Sequence, residues 1–128
     1  MLHKERLKDV HPDLIYVATF VDLIMPLNVI EGHRPEARQL ELFKQGKTKL
    51  KHGKHNDLPS RAIDIAPSRF DWKNPNKLTE VYKMYYLAGL MMAVAHDKGI
   101  DLRWGGDWDR DQDFGDQTFN DLVHFEIF

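Results

Sequence analysis

Asp121-Leu-Val-His-Phe-Glu-Ile-Phe128 is the stretch that decides the fold. From Val123 onward it alternates, with Val123, Phe125 and Ile127 on one face and His124 and Glu126 on the other. Period-two alternation marks a strand buried on one side only. Ala62-Ile-Asp-Ile-Ala66 repeats the pattern and sets Ile63 and Ile65 opposite Asp64. Two such strands require a sheet with one covered face, whose polar face converges on a cleft.

Helices supply the cover. Pro12 suits the first position of a helix, and Leu14, Val17, Ala18, Val21 and Ile24 follow at 3.6-residue spacing until Pro26. Leu27 to Ile30 reads as a short strand. A second helix is expected from Pro35 to about Gln45, packing Ala37, Leu40 and Phe43 and stopping at Gly46. A polar loop spans roughly 47 to 60, and a Pro/Asn-rich one spans 67 to 77. Thr79 is the expected cap of the longest helix, which runs to about Lys98 and stops at Gly99. Tyr82, Tyr85, Tyr86, Met92 and Ala93 should supply its core contacts. Leu102 to Trp104 is a short strand and Gly105 to Asp116 a loop. The expectation is a small α+β single domain over 1–128, its helices packed on a mostly antiparallel sheet.

Composition narrows the function. With 18 basic and 20 acidic residues the net charge is −2, so no basic field recruits nucleic acid or acidic membranes. Lys47 to Lys54 carries four lysines in eight residues without interleaved aromatics and reads as a solvated loop. Cysteine is absent, which removes disulfides, thiolate zinc ligands and thiol nucleophiles together. No N-terminal stretch has the apolar core of a signal peptide, and none approaches the ~18 apolar residues of a membrane span. Synthesis and folding in the cytoplasm are expected, with release by another agent if the protein acts elsewhere.

The polar positions of the two strands, with His55 from the polar loop before the first of them, form a His55/Asp64/His124 set. Zinc takes imidazole nitrogen and carboxylate oxygen, and a catalytic zinc keeps three protein ligands and an open position. Asp64 is the strongest member, because a carboxylate inside Ala-Ile-Asp-Ile-Ala is costly to bury unless paired or bound to metal. His3, His11 and His96 have ordinary surroundings, and His52 is a weaker rival for His55. Asp107, Asp109, Asp111 and Asp113 alternate like the start of a calcium loop. That loop wants Gly sixth and Glu twelfth, where this chain has Gln112 and Thr118. The run reads as a polar loop.

Five pieces then occur in a telling order: Gly32-His-Arg34; Gln39-Leu-Glu-Leu-Phe43 with Gly46-Lys-Thr48; Lys54-His55 through Pro59-Ser-Arg-Ala-Ile-Asp64; Arg103-Trp-Gly-Gly-Asp-Trp108; and Asp121-Leu-Val-His-Phe-Glu126. Over roughly residues 30 to 126 the chain resembles the bacteriophage L-alanyl-D-glutamate peptidases, relatives of the D-Ala-D-Ala carboxypeptidases and dipeptidases. The resemblance implies a Hedgehog/DD-peptidase-like fold and a zinc peptidase that cleaves peptidoglycan stem peptides. It implies zinc held by His55, Asp64 and His124, a catalytic carboxylate at Asp121, and a substrate-orienting arginine at Arg34. Many members read Ser-x-His-x-x-Gly-x-Ala-x-Asp. This chain has Gly53 for the serine, Ser60 for the glycine, and two extra residues between His55 and Asp64.

Two neutral histidines and one aspartate would leave zinc with a net charge of about +1, lowering the pKa of its water toward ~7. A carboxylate would take the water's proton and return it to the leaving amine. Arg34 would bind a substrate carboxylate or the developing oxyanion. Strict strand alternation sets Asp121 and His124 on opposite faces and favours Glu126 as the base. Asp121 serves only if the chain bends at Asn120-Asp121, a turn-prone pair; otherwise Glu126 is the base or a partner that orients a ligand. The resemblance selects Asp121. The chain itself leads to the expectation of a monomeric catalytic domain without a cell-wall-binding domain, reaching the wall from the host cytoplasm after release. The competing readings are a D-Ala-D-Ala carboxypeptidase and a non-catalytic relative that binds metal or cell-wall peptide.

Overall fold

A computed structural model describes residues 2–116 and 120–128. The chain runs through α1 (Pro12–Asp22), β1 (Leu27–Glu31), α2 (Glu36–Lys44), β2 (Ala62–Pro67), α3 (Leu78–Lys98), β3 (Leu102–Trp104) and β4 (His124–Ile127). Three short 3-10 turns cover Lys4–Leu7, Lys54–Asn56 and Phe114–Asp116. The strands form one sheet in the order β1-β2-β4-β3, antiparallel at every pairing. This is the α+β architecture that the alternating strands call for. Thr118, the twelfth position of the calcium-loop comparison, lies outside the described residues.

The inner sheet face carries Leu27, Val29, Ile63, Ile65, Leu102, Trp104, Phe125 and Ile127, all buried. Leu14, Val17, Ala18 and Val21 of α1 and Leu87, Ala88, Met91 and Ala95 of α3 join them in one core. Burying each large apolar side chain stabilises the fold by about 1.5–3 kcal/mol before entropy is counted. α1 begins at Pro12, and the ring of His11 caps it by accepting from the Asp13 N–H at 3.1 Å. Ile24 lies beyond the helix and is exposed.

Two helices turn differently from their sequence reading. In α3, Tyr82 and Tyr86 are exposed, as is Ala93, and Tyr85 and Met92 are half-buried. The stripe that meets the sheet is Met84, Leu87, Ala88, Met91 and Ala95. The helix is apolar on most sides, so size pointed to the tyrosines; their hydroxyls tolerate water, and helical spacing selected the other stripe. Its N-cap is Lys77, and Thr79 already lies inside the helix. In α2, Ala37 and Leu40 are exposed, Phe43 is half-buried, and Gln39 is the buried residue. A polar group has taken the inward position because it has work to do there. The sequence reading attached no role to it.

No described helix is long and apolar enough to cross a membrane.

Candidate active site

The outer face of the sheet brings the predicted ligands together. Asp64 and His124 are direct cross-strand partners on β2 and β4. His55 arrives from the loop before β2, in the 3-10 turn Lys54–Asn56. That turn is pinned by Arg34 N–H to the His55 carbonyl (2.8 Å) and by the Asn56 amide to the Arg34 carbonyl (2.8 Å). The two extra residues between His55 and Asp64 belong to a loop closed by Arg61 N–H to the Lys54 carbonyl (3.0 Å). Ser60, at the position where the family resemblance leads one to expect glycine, is fully buried, and its hydroxyl donates to the Ala62 carbonyl at 2.7 Å.

One donor atom from each of His55, Asp64 and His124 lies within 4.8 Å of the others. The hydrogen bonds around them decide what can sit between. His55 Nδ1 is 2.8 Å from the Gly32 carbonyl, which can only accept, so Nδ1 carries the proton. In the neutral ring, Nε2 then points a lone pair at Asp64 Oδ1, 3.2 Å away. His124 Nε2 donates to Glu126 Oε1 at 2.9 Å, and its Nδ1 faces the same Asp64 oxygen at 3.2 Å. Three acceptors meeting in a largely buried pocket repel unless a cation lies among them. Tetrahedral zinc with bonds of ~2.0–2.2 Å separates its ligand atoms by roughly 3.3–3.6 Å, close to the spacing here. Each imidazole also has its outer nitrogen tied to a carbonyl or carboxylate, the arrangement that orients metal-binding histidines. The residues fit a zinc ion.

The charges agree. Burial opposes ionisation of Asp64, but hydrogen bonds from His124 and His55 hold its carboxyl well below the usual carboxylate range. Burial disfavours the imidazolium of His124, yet Asp64 and Glu126 raise it from 6.5 to about 9.

Asp121 and Glu126 differ sharply. β4 starts only at His124, and residues 121–124 form a turn closed by His124 N–H to the Asp121 carbonyl (3.1 Å). Strand alternation therefore does not extend to Asp121. Gly105 makes the turn possible, since a Cβ there would collide with the Asp121 carbonyl, and the two backbones pair through Asp121 N–H to Gly105 O (2.9 Å). Burial pushes the Asp121 carboxyl up, the Asp64 charge adds to this, and His124, His55 and Arg34 oppose it. Asp121 thus lies within electrostatic reach of all four. Glu126 is different. Burial works against its charge, but His124, Arg103 and Lys54 bring it down to about 2. Both its oxygens are engaged, Oε1 by His124 and Oε2 by Arg103 (2.7 Å) and Lys54 (3.1 Å).

Arg34 stands beside this group with its guanidinium held from behind. Nε donates to Glu31 Oε1 at 3.0 Å, Nη2 bonds the same oxygen, and Nη1 donates to Gln39 Oε1 at 2.8 Å. These three bonds leave two of the five guanidinium N–H groups for other acceptors. Glu31 reaches this position because the β1 register shifts between Val29 and Glu31, bringing Glu31 opposite Asp64. Gln39 explains its own burial: its amide donates to the Leu50 carbonyl at 2.6 Å while its carbonyl holds Arg34. Sequence reasoning assigned no role to Glu31, Gln39, Lys54 or Arg103. The one local signal was the Leu102-Arg-Trp104 alternation, which turns Arg103 away from the core. Asp107, Asp109 and Asp111 also gather carboxylate oxygens within 4.8 Å, Asp109 and Asp111 being exposed.

The fold and its outer sheet face define an α+β protein built around a metal-capable His/Asp/His group. The family model described as phage L-alanyl-D-glutamate peptidase matches residues 2–128, and the chain belongs to that family. The L-alanyl-D-glutamate peptidase of Escherichia phage T5 is 28% identical over 120 residues, covering 89% of this chain and 83% of that protein. The crystal structure of Serratia marcescens L-Ala D-Glu endopeptidase ChiX matches with a TM-score of 0.74 at 26% identity, covering 98% of this chain and 85% of that one.

Proposed function

We propose that the protein is a zinc endopeptidase that cleaves the L-Ala–D-Glu bond of peptidoglycan stem peptides. His55, Asp64 and His124 hold the metal, Asp121 moves the proton and Arg34 orients the substrate. The observation that carries this is the convergence of His55 Nε2 and His124 Nδ1 on one Asp64 oxygen, each at 3.2 Å, a nitrogen/oxygen cluster with the donor set of a metal site. The names of the phage T5 and Serratia proteins support the choice of bond. Zinc bound there supplies Lewis acidity for the scissile carbonyl and the attacking water.

The chain's own groups do the rest. Asp121, only part-buried, accepts a proton from the attacking water and returns it to the departing amine. Its raised affinity for a proton suits that exchange better than the firmly ionised Glu126 does. The two remaining N–H groups of Arg34 can bind a substrate carboxylate or the oxyanion, and the Glu31/Gln39 bracket keeps them aimed. We take the working unit to be a monomeric catalytic domain that reaches the wall from the host cytoplasm during phage-type lysis.

The test is digestion of purified peptidoglycan followed by mass spectrometry of the products. New L-Ala C-termini and D-Glu N-termini, lost with a chelator and restored by zinc, are expected. Release of D-Ala alone would make the protein a carboxypeptidase instead. Zinc uptake without any cleavage would reduce it to a binding module.

A further inference from the structure

We propose that Arg103 and Lys54 are positioning residues of the metal centre, acting through Glu126 to keep His124 turned with Nδ1 toward Asp64. The proposal rests on the metal reading above and concerns residues that touch neither ligand atom nor substrate.

Glu126 is buried, at 6% exposure, and its two oxygens have separate duties. Oε1 accepts from His124 Nε2, whereas Oε2 takes Arg103 Nη2 at 2.7 Å and Lys54 Nζ at 3.1 Å. The two cations come from different directions. Arg103 is the direct cross-strand partner of Glu126 on β3. Lys54 opens the 3-10 turn that carries His55, and its ammonium also donates to the Ile127 carbonyl at 2.9 Å. One carboxylate oxygen therefore joins the edge strand, the terminal strand and the turn of the first ligand.

The chemical consequence falls on the His124 tautomer. An ionised Glu126 can only accept, so it requires the proton on Nε2 and leaves the Nδ1 lone pair for Asp64's side of the ring. Two cations on the far oxygen stop the carboxylate from rotating, so Oε1 stays aimed at Nε2 and the ring cannot flip away from Asp64. Arg103 also braces the ring from the side: Nη1 donates to the Trp108 carbonyl at 3.3 Å, and the Trp108 ring lies 5.4 Å from that of His124. The Phe128 ring packs under both cations, 3.8 Å from Lys54 Nζ and 4.9 Å from the Arg103 guanidinium. Among the described residues, the buried Arg103 Nε has no hydrogen-bond partner.

The experiment is a competitive zinc titration against a chromogenic chelator, with circular dichroism to verify folding. Wild type is compared with Arg103→Met, Arg103→Lys, Lys54→Met, Glu126→Gln and the double variant Arg103→Met/Glu126→Gln. Arg103→Met and Lys54→Met should weaken zinc toward the lower end of the ~10- to 100-fold loss typical of groups that orient metal ligands. Arg103→Lys should recover most of the affinity. In the Glu126→Gln background, Arg103→Met should cost nothing further, because the path is already cut. A fully additive double variant, or unchanged affinity in both single Met variants, overturns the proposal. If Arg103→Met does not fold, Lys54→Met carries the same test from the other cation. A wild-type protein that takes up no zinc overturns the metal reading itself, an outcome separate from tight wild-type binding that the variants leave untouched.

Discussion

The two faces of β2 and β4 are made from alternate residues of the same strands, yet they obey opposite rules. Ile63, Ile65, Phe125 and Ile127 meet α1 and α3 in a dry core. Asp64, His124 and Glu126, one residue out of step, are joined by hydrogen bonds and ion pairs, and their charges depend on each other. The inner face can exchange one hydrocarbon for another of similar volume at modest cost. The outer face cannot lose a single member without leaving a buried charge unpaired. Stability and chemistry are thus separated by a rotation of half a pleat, and the separation can be broken experimentally.

The largest effects should dissociate the two faces. His124→Ala or Asp64→Ala is expected to abolish zinc retention and reduce peptidoglycan cleavage to background while the protein remains folded. Phe125→Ala, on the inner face between them, should lower stability by about 3–5 kcal/mol while the folded fraction still binds zinc. Zinc content, cleavage and denaturant midpoints measured together check this; stoichiometric zinc in a His55→Ala/His124→Ala variant would defeat the ligand assignment.

Next in size is the contest between the two carboxylates. Asp121→Asn should keep zinc and lower kcat by the ~100- to 10,000-fold that a general acid–base contributes. Glu126→Gln should do less, ~10- to 100-fold through ligand orientation. If the Glu126 variant is dead with zinc in place and the Asp121 variant is near wild type, the roles are exchanged.

Arg34→Lys keeps the charge but loses the planar fork held by Glu31 and Gln39. Losing hydrogen bonds to a charged group at ~1.5–3 kcal/mol implies roughly a 10- to 100-fold fall in kcat/KM, with zinc content unchanged. Steady-state kinetics on a stem peptide decide it, and an unaltered kcat/KM removes Arg34 from substrate binding.

The smallest effect is a slope with pH. In the metal-free protein the His124 value is raised from 6.5 to about 9. Its protonation therefore contributes stability that is complete below pH 6.5 and is lost as pH rises through about 9. Zinc must displace that proton, so apparent affinity should rise by up to about tenfold per pH unit across this window and level off above it. Calorimetry in buffers of different ionisation enthalpy should detect about one proton released near neutrality; no release would mean the cluster is not protonated before metal binds.

Parts of this design were legible in the chain. Asp64 announced itself as a carboxylate in an apolar run, and His124 and Glu126 shared a face by simple alternation. The roles proposed for Asp121 and Arg34 were available only through resemblance, because nothing local sets an aspartate in a turn apart from any other. Gln39 was missed because a buried glutamine on a short helix looks like a solvated one until Arg34 and Leu50 close around it. The tyrosines of α3 misled because most sides of that helix carry apolar residues, so size could not identify the buried stripe.

By itself, then, the sequence determined the elements and the strand faces, since a strand's period of two and a helix's 3.6 are properties of the backbone and need no neighbour. It also determined the residue types from which a nitrogen/oxygen metal cluster could be drawn. The tertiary structure decided which of them meet. The β2–β4 register brings Asp64 to His124, the turn at 121–124 releases Asp121 from strand parity, and the shift in β1 hands Glu31 to Arg34. Those outcomes depend on register and close backbone approach between segments 16 to 60 residues apart in sequence, which no local pattern encodes.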